Sequence, residues 1–118
     1  MRDPKVLVIE DDPDVQALLT SVAKKRHVSV DRASDGEEAI RLLEANAYDV
    51  VILDLMLPKV NGFRVAEVVR QLAHKPRLIV FSAISRYFAE LFPEAVILQK
   101  PFDLGRVEDI LAGKAPRE

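Results

Sequence analysis

The stretch Val50-Val51-Ile52-Leu53-Asp54 is a run of apolar, mostly β-branched residues closed by an acid. A run that is continuous rather than alternating is the pattern of a strand buried on both faces, as in a parallel sheet. Three further runs have the same character: Val6-Leu7-Val8-Ile9, Leu78-Ile79-Val80-Phe81 and Ala95-Val96-Ile97-Leu98. A weaker one covers 28–30. Each is too short to cross a bilayer, which takes about 20 apolar residues.

Between the runs the apolar period changes to that of a helix. Val15, Leu18, Leu19 and Val22 fall at i, i+3, i+4 and i+7, which predicts one inward face. A second helix is expected to open at Ser34-Asp35-Gly36-Glu37, a capping-box spacing, with Ala39, Ile40 and Leu43 inward. A third is expected over 62–73, burying Phe63, Ala66, Val69 and Leu72 or Ala73. A short fourth lies at 86–92 and stops before Pro93. The fifth starts at Asp103, buries Val107, Ile110 and Leu111, and stops near Gly113. Five strand–helix alternations mean an α/β fold, a doubly wound five-stranded parallel sheet with helices on both faces.

The bulk properties exclude several classes. The 118 residues are read as a single domain, 1–118, with 114–118 as a tail or the start of a linker. The net charge of −2 gives no overall basic footprint for nucleic acid, and Lys24-Lys25-Arg26 reads as a solvated helix end. The chain has no cysteine, so neither a disulfide framework nor a thiolate metal site can form. The N-terminus has no signal-peptide pattern, and the expected location is cytoplasmic, away from membrane. His27 and His74, near helix ends, are read as solvated, and the four scattered glycines write no phosphate-binding Gly-rich loop.

In an open parallel sheet, ligands bind outside the carboxyl ends of the strands. Glu10-Asp11-Asp12 follow the first run, Asp54 ends the third, Ser82 follows the fourth and Lys100-Pro101 the fifth. Acids, a hydroxyl and an ammonium would converge on one rim. Crowded carboxylates repel, and a hard divalent cation such as Mg²⁺, which takes oxygen ligands, relieves the repulsion. A carboxylate nucleophile forms an acyl phosphate. Mg²⁺, the Lys100 ammonium and the Ser82 hydroxyl would each meet an equatorial oxygen of a transferring phosphoryl group.

With these residues in order, the chain resembles bacterial response-regulator receiver domains over nearly its whole length. The matching pieces are Val6 to Asp12, Asp54-Leu55-Met56-Leu57-Pro58-Lys59-Val60-Asn61-Gly62, Ser82-Ala83 and Lys100-Pro101-Phe102. The resemblance implies a flavodoxin-like strand order 2-1-3-4-5. It implies phosphorelay signalling in which Asp54 takes a phosphoryl group from a histidine kinase or phosphotransfer protein, with Mg²⁺, and switches the binding of a protein partner. On that pattern the chain is no turnover enzyme; it catalyses only its own phosphoryl transfer and slow autodephosphorylation. Asp11 lies 43 residues before Asp54, as the family expects, and is assigned as the direct metal ligand, with Glu10 acting through water and Asp12 starting the helix. The Met56 backbone carbonyl would be a further ligand, its side chain being read as packing; Lys100 would contact the phosphoryl group, and Lys100-Pro101 would be cis.

Two departures bear on output. Ile97 stands where many receivers carry Tyr or Phe, and Ser82 to Lys100, 18 residues, is shorter than the family norm by about one helical turn. Helix 4 is therefore expected to be shortened, and the partner surface at helix 4 and strand 5 to be unusual, with Tyr87, Phe88 and Phe92 as a substitute apolar surface. These departures raise the alternative of a pseudo-receiver, an interaction module with impaired switching. A phosphatase with an aspartyl nucleophile is a third reading, against which stands Met56, where such enzymes commonly carry a second Asp.

Overall fold

The computed structural model describes residues 4–25, 28–57, 59, 61–82, 89–99, 105 and 108–109, without the side chains of residues 82 and 99. Its elements are β1 (Lys5–Ile9), α1 (Pro13–Lys24), β2 (Ser29–Ala33), α2 (Gly36–Ala45), β3 (Val50–Asp54), α3 (Gly62–Gln71), β4 (Arg77–Ser82) and β5 (Val96–Gln99). The strands form one sheet in the order β2-β1-β3-β4-β5, and every pairing is parallel. The expected fold class and strand order are those observed.

The continuous apolar runs follow from this architecture. Successive side chains of a strand leave on opposite faces, and here both faces are covered. Val6 and Val8 of β1 meet Ile52, Ile79, Phe81 and Leu98 on one face, closed by Leu19 and Val22 of α1. Leu7, Ile9, Val51, Leu53, Leu78 and Val80 point to the other, closed by Ala39 and Leu43 of α2 and Val65, Ala66 and Val69 of α3. Helices therefore lie on both faces.

Several local expectations are corrected. Leu18 is 45% exposed, not inward, and Ala23 is buried on that helix instead. A helix turns 100° per residue, so a stripe of four apolar positions is wider than one sheet contact, and Leu18 falls outside it. β2 begins at Ser29 and runs to Ala33, beyond the apolar run, because its backbone pairs with β1 from Lys5 to Ile9. The cap of α2 lies one residue later than expected: Asp35 Oδ1 accepts the Glu38 N–H at 2.8 Å, and Glu38 Oε1 accepts the Ser34 N–H at 3.1 Å. α3 ends at Gln71; Leu72 packs on the core and Ala73 is exposed. Of the fourth expected helix, 89–91 are helical, 92 is described and not helical, and 86–88 lie outside the described residues; of the fifth, 105 and 108–109 are described and helical, and its remainder lies outside them.

Candidate phosphoryl and metal site

The exits of β1 and β3 set the site. Ile9 pairs with Leu53. Glu10, just past β1, and Asp54, the last residue of β3, come one residue further on at the carboxyl edge of the sheet. Glu10 is 1% exposed and Asp54 2%, whereas Asp11 is exposed. One oxygen from each of Glu10, Asp11 and Asp54 lies within 4.8 Å of the others. At that separation two unit charges repel by roughly 3 kcal/mol even at an effective dielectric of 20.

Local hydrogen bonds aim these groups. The Met56 N–H donates to Asp54 Oδ1 at 3.0 Å, which limits the rotamers of the carboxylate. The Asp12 N–H donates to Glu10 Oε1 at 3.0 Å, and the Glu10 N–H donates to the Ala33 carbonyl at 3.0 Å. Asp12 itself caps α1: its Oδ1 accepts the N–H groups of Asp14 at 2.9 Å and Val15 at 3.5 Å, with Pro13 as the first helical residue. The third acid of the run is thus spent on the helix, as expected, and the first two face the cluster. Behind the site, Gly62 opens α3 against the backbone of Leu55, whose carbonyl accepts the Gly62 N–H at 3.1 Å.

The donor set suits a hard divalent cation. It is made of carboxylate oxygens alone, two from buried residues and one from an exposed residue that leaves a side open. Carboxylates held this close gain from a cation between them. Met56 is 66% exposed, so it is not the packing residue that the sequence suggested, whereas Leu55 before it is buried.

Other expected site residues are placed as follows. Ser82 is the last residue of β4, and its side chain lies outside the described residues, as do Lys100, Pro101, Tyr87 and Phe88. Ile97 pairs with Val80 and packs, half-buried, against the cluster beneath α2 and α3. Phe92 is buried in that same cluster, with the Arg70 guanidinium 4.2 Å above its ring. Arg70 also donates to both Glu94 oxygens, at 2.8 and 2.9 Å, and to the Leu91 carbonyl at 2.8 Å. Those bonds hold the Glu94 carboxyl below its ordinary range. This clamp ties α3 to the segment before β5 and was not foreseen. His74 is exposed, and its Nε2 lies 3.8 Å from Asp49 Oδ1.

Gln16 was also missed. Its carboxamide nitrogen reaches the carbonyls of Glu10 and Ala33. An amide in the second turn of a helix carries no sequence signal that separates this role from a solvated position. Elsewhere, buried Tyr48 donates its O–H to Oδ2 of Asp31, on β2, at 2.7 Å; burial first, then that carboxylate, raises the phenol well above its ordinary range.

A doubly wound parallel sheet here carries a buried carboxylate pair and an exposed acid at its carboxyl edge, the rim where such sheets take ligands, and these three acids could hold a metal ion. Residues 6–112 match the response regulator receiver domain family, and the chain belongs to it. It is 36% identical over 104 residues to the transcriptional regulatory protein TcrA of Mycobacterium tuberculosis, covering 85% of this chain and 41% of that protein. It is 30% identical over 111 residues to the response regulator ArlR of Staphylococcus aureus, covering 92% and 49%. The chain thus spans less than half the length of these curated relatives. Among solved structures it is similar to the response regulator protein TrrA of Thermotoga maritima in complex with Mg²⁺-BeF, with a TM-score of 0.82 and 28% identity, covering 93% of this chain and 97% of that one. A putative response regulator from Chloroflexus aurantiacus superposes with a TM-score of 0.78 at 29% identity, covering 94% and 99%. No helix among the described residues is long and apolar enough to cross a membrane.

Proposed function

We propose that Asp54 accepts a phosphoryl group from a histidine kinase or phosphotransfer protein and that the acyl phosphate changes the binding of a protein partner. The observation that carries this reading is the meeting of Glu10, Asp11 and Asp54 within 4.8 Å at the carboxyl edge of the sheet. An oxygen of Asp54 attacks phosphorus, and the bond from phosphorus to the donor's histidine nitrogen breaks. That nitrogen keeps the electron pair and becomes an ordinary imidazole. Water later returns the carboxylate and inorganic phosphate, so the chain handles its own phosphoryl group and turns over no separate substrate. Asp11, Asp54 and the Met56 carbonyl, with Glu10 through water, would hold Mg²⁺, which would supply charge to offset the equatorial oxygens. The Met56 N–H holds Asp54 in the orientation for attack. Ser82 and Lys100 are assigned the phosphoryl oxygens, and Pro101, in a cis bond, the aim of Lys100. Ile97, Tyr87 and Phe88 are assigned to the readout surface near β5. Residues 1–118 act as one receiver unit, with 114–118 as a tail or the start of a linker, in the cytoplasm. The complete acid set weighs against the pseudo-receiver alternative.

The test is phosphorylation by acetyl phosphate with Mg²⁺, followed by intact mass. Wild type is expected to gain one phosphoryl group and Asp54→Asn none. Equal labelling of the two, or no labelling of either, would remove the reading.

A further inference from the structure

Gln16 sits in the second turn of α1, half-buried, directly below the acid-bearing loop. Its Nε2 lies 3.0 Å from the Glu10 carbonyl oxygen, 3.2 Å from the Ala33 carbonyl oxygen and 3.5 Å from Ser34 Oγ. Both carbonyls only accept, so the amide nitrogen and not the amide oxygen must face them. Ala33 ends β2 and Glu10 follows β1, so one carboxamide joins the exits of two neighbouring strands. The Ala33 carbonyl also takes the Glu10 N–H at 3.0 Å. The main chain of Glu10 is therefore held on both sides, by its N–H through Ala33 and by its carbonyl through Gln16. Only the second hold comes from a side chain, so it is the one a substitution can remove while leaving the sheet ladder in place.

Carboxylates with oxygens within 4.8 Å of one another repel when ionised, and the loop that carries two of them leaves the sheet at this point. Something must resist the repulsion for the oxygens to keep the spacing that a small, geometrically strict cation requires. We propose that Gln16 is a positioning residue for the divalent-cation site: by donating to the Glu10 and Ala33 carbonyls it pins the loop that presents Glu10 and Asp11 to Asp54. The inference rests on the metal reading given above. Gln16 donates to main-chain carbonyls and so acts through the backbone. Removing such an outer partner of a metal site typically weakens affinity about 10- to 100-fold.

The experiment is Mg²⁺ titration followed by the backbone amide shifts of residues 10–12 and 54–56, in wild type, Gln16→Leu, Gln16→Glu and Gln16→Arg. Leu keeps the volume and Glu the shape, but neither donates; Arg restores donors with reach. The expected result is at least about tenfold weaker Mg²⁺ binding in Gln16→Leu and Gln16→Glu, with most of the affinity recovered in Gln16→Arg. If Gln16→Leu does not fold, Gln16→Glu decides. Wild-type affinity in the non-donating variants overturns the inference while leaving the metal reading in place. Weak binding in all three variants overturns it too, because packing rather than donation would then be at work. Wild type that does not respond to millimolar Mg²⁺ removes the metal reading itself, before any variant is compared.

Discussion

A methyl group at Gly62 would lie 2.5 Å from Leu55 Cα and 2.9 Å from its carbonyl oxygen, and both are backbone atoms that cannot swing aside. Gly62 is required by this close approach of α3 to the chain leaving Asp54. Gly62→Ala is expected to cost about 1–3 kcal/mol in chemical denaturation, by overpacking. A variant as stable as wild type would mean that the helix can retreat at no cost. Lys59, in the same loop, has φ of 68°, a left-handed conformation unusual for a residue with a side chain. Its Nζ lies 3.5 Å from Asp35 Oδ2 and 3.8 Å from Glu37 Oε2, so the loop after Asp54 is tied to the start of α2. Neighbouring acids have opposite fates here. Glu10 is buried, Asp11 is exposed, and Asp12 caps a helix. Residue type alone could not have sorted them; the turn from β1 into α1 does.

At the scale of an element, α2 shows a capping interaction with a pH signature. The Glu38 N–H bond to Asp35, and then the Lys59 ammonium, hold the Asp35 carboxyl below its ordinary value of 3.8. A folded-state value lower than the unfolded one contributes stability that is fully present above the ordinary value. That stability is lost as pH falls through the lower folded value. Thermal midpoints measured from pH 6 downward are therefore expected to fall less steeply for Asp35→Asn than for wild type once pH passes below 3.8, since Asn still caps but does not titrate. Parallel acid limbs would show that the carboxylate adds nothing beyond the cap. The Arg70 clamp is a second device of this scale. It fastens α3 to Leu91, Phe92 and Glu94, on the approach to the strand that carries Ile97. The segment between β4 and β5 is short in sequence, and this contact anchors its end to the sheet's helical cover.

At the scale of the molecule, the acid cluster and the fold are linked by mass action, because a cation that binds only the folded chain stabilises it. At a hundredfold excess over its dissociation constant, Mg²⁺ is expected to contribute about 2.7 kcal/mol, a rise of about 10 °C in thermal midpoint for a chain of this size. The rise should be largely absent in Asp11→Asn; an equal rise there would mean that the ion binds elsewhere. The β-branched runs determined the strands, their burial on two faces and hence the layered parallel sheet, because a continuous apolar strand is stable only when both faces are covered. The acids that close those runs were legible as a site for the same reason: strand ends in such a sheet share one edge. What only the tertiary structure decided is which side chains face what. Leu18 lies in an apolar stripe yet ends in solvent, Met56 is exposed although apolar, and Gln16 reads as a surface amide yet spans two strand exits. Burial and hydrogen-bond partners depend on how helix and sheet surfaces meet. That meeting is set by the packing of residues far apart in the chain, which no local pattern encodes.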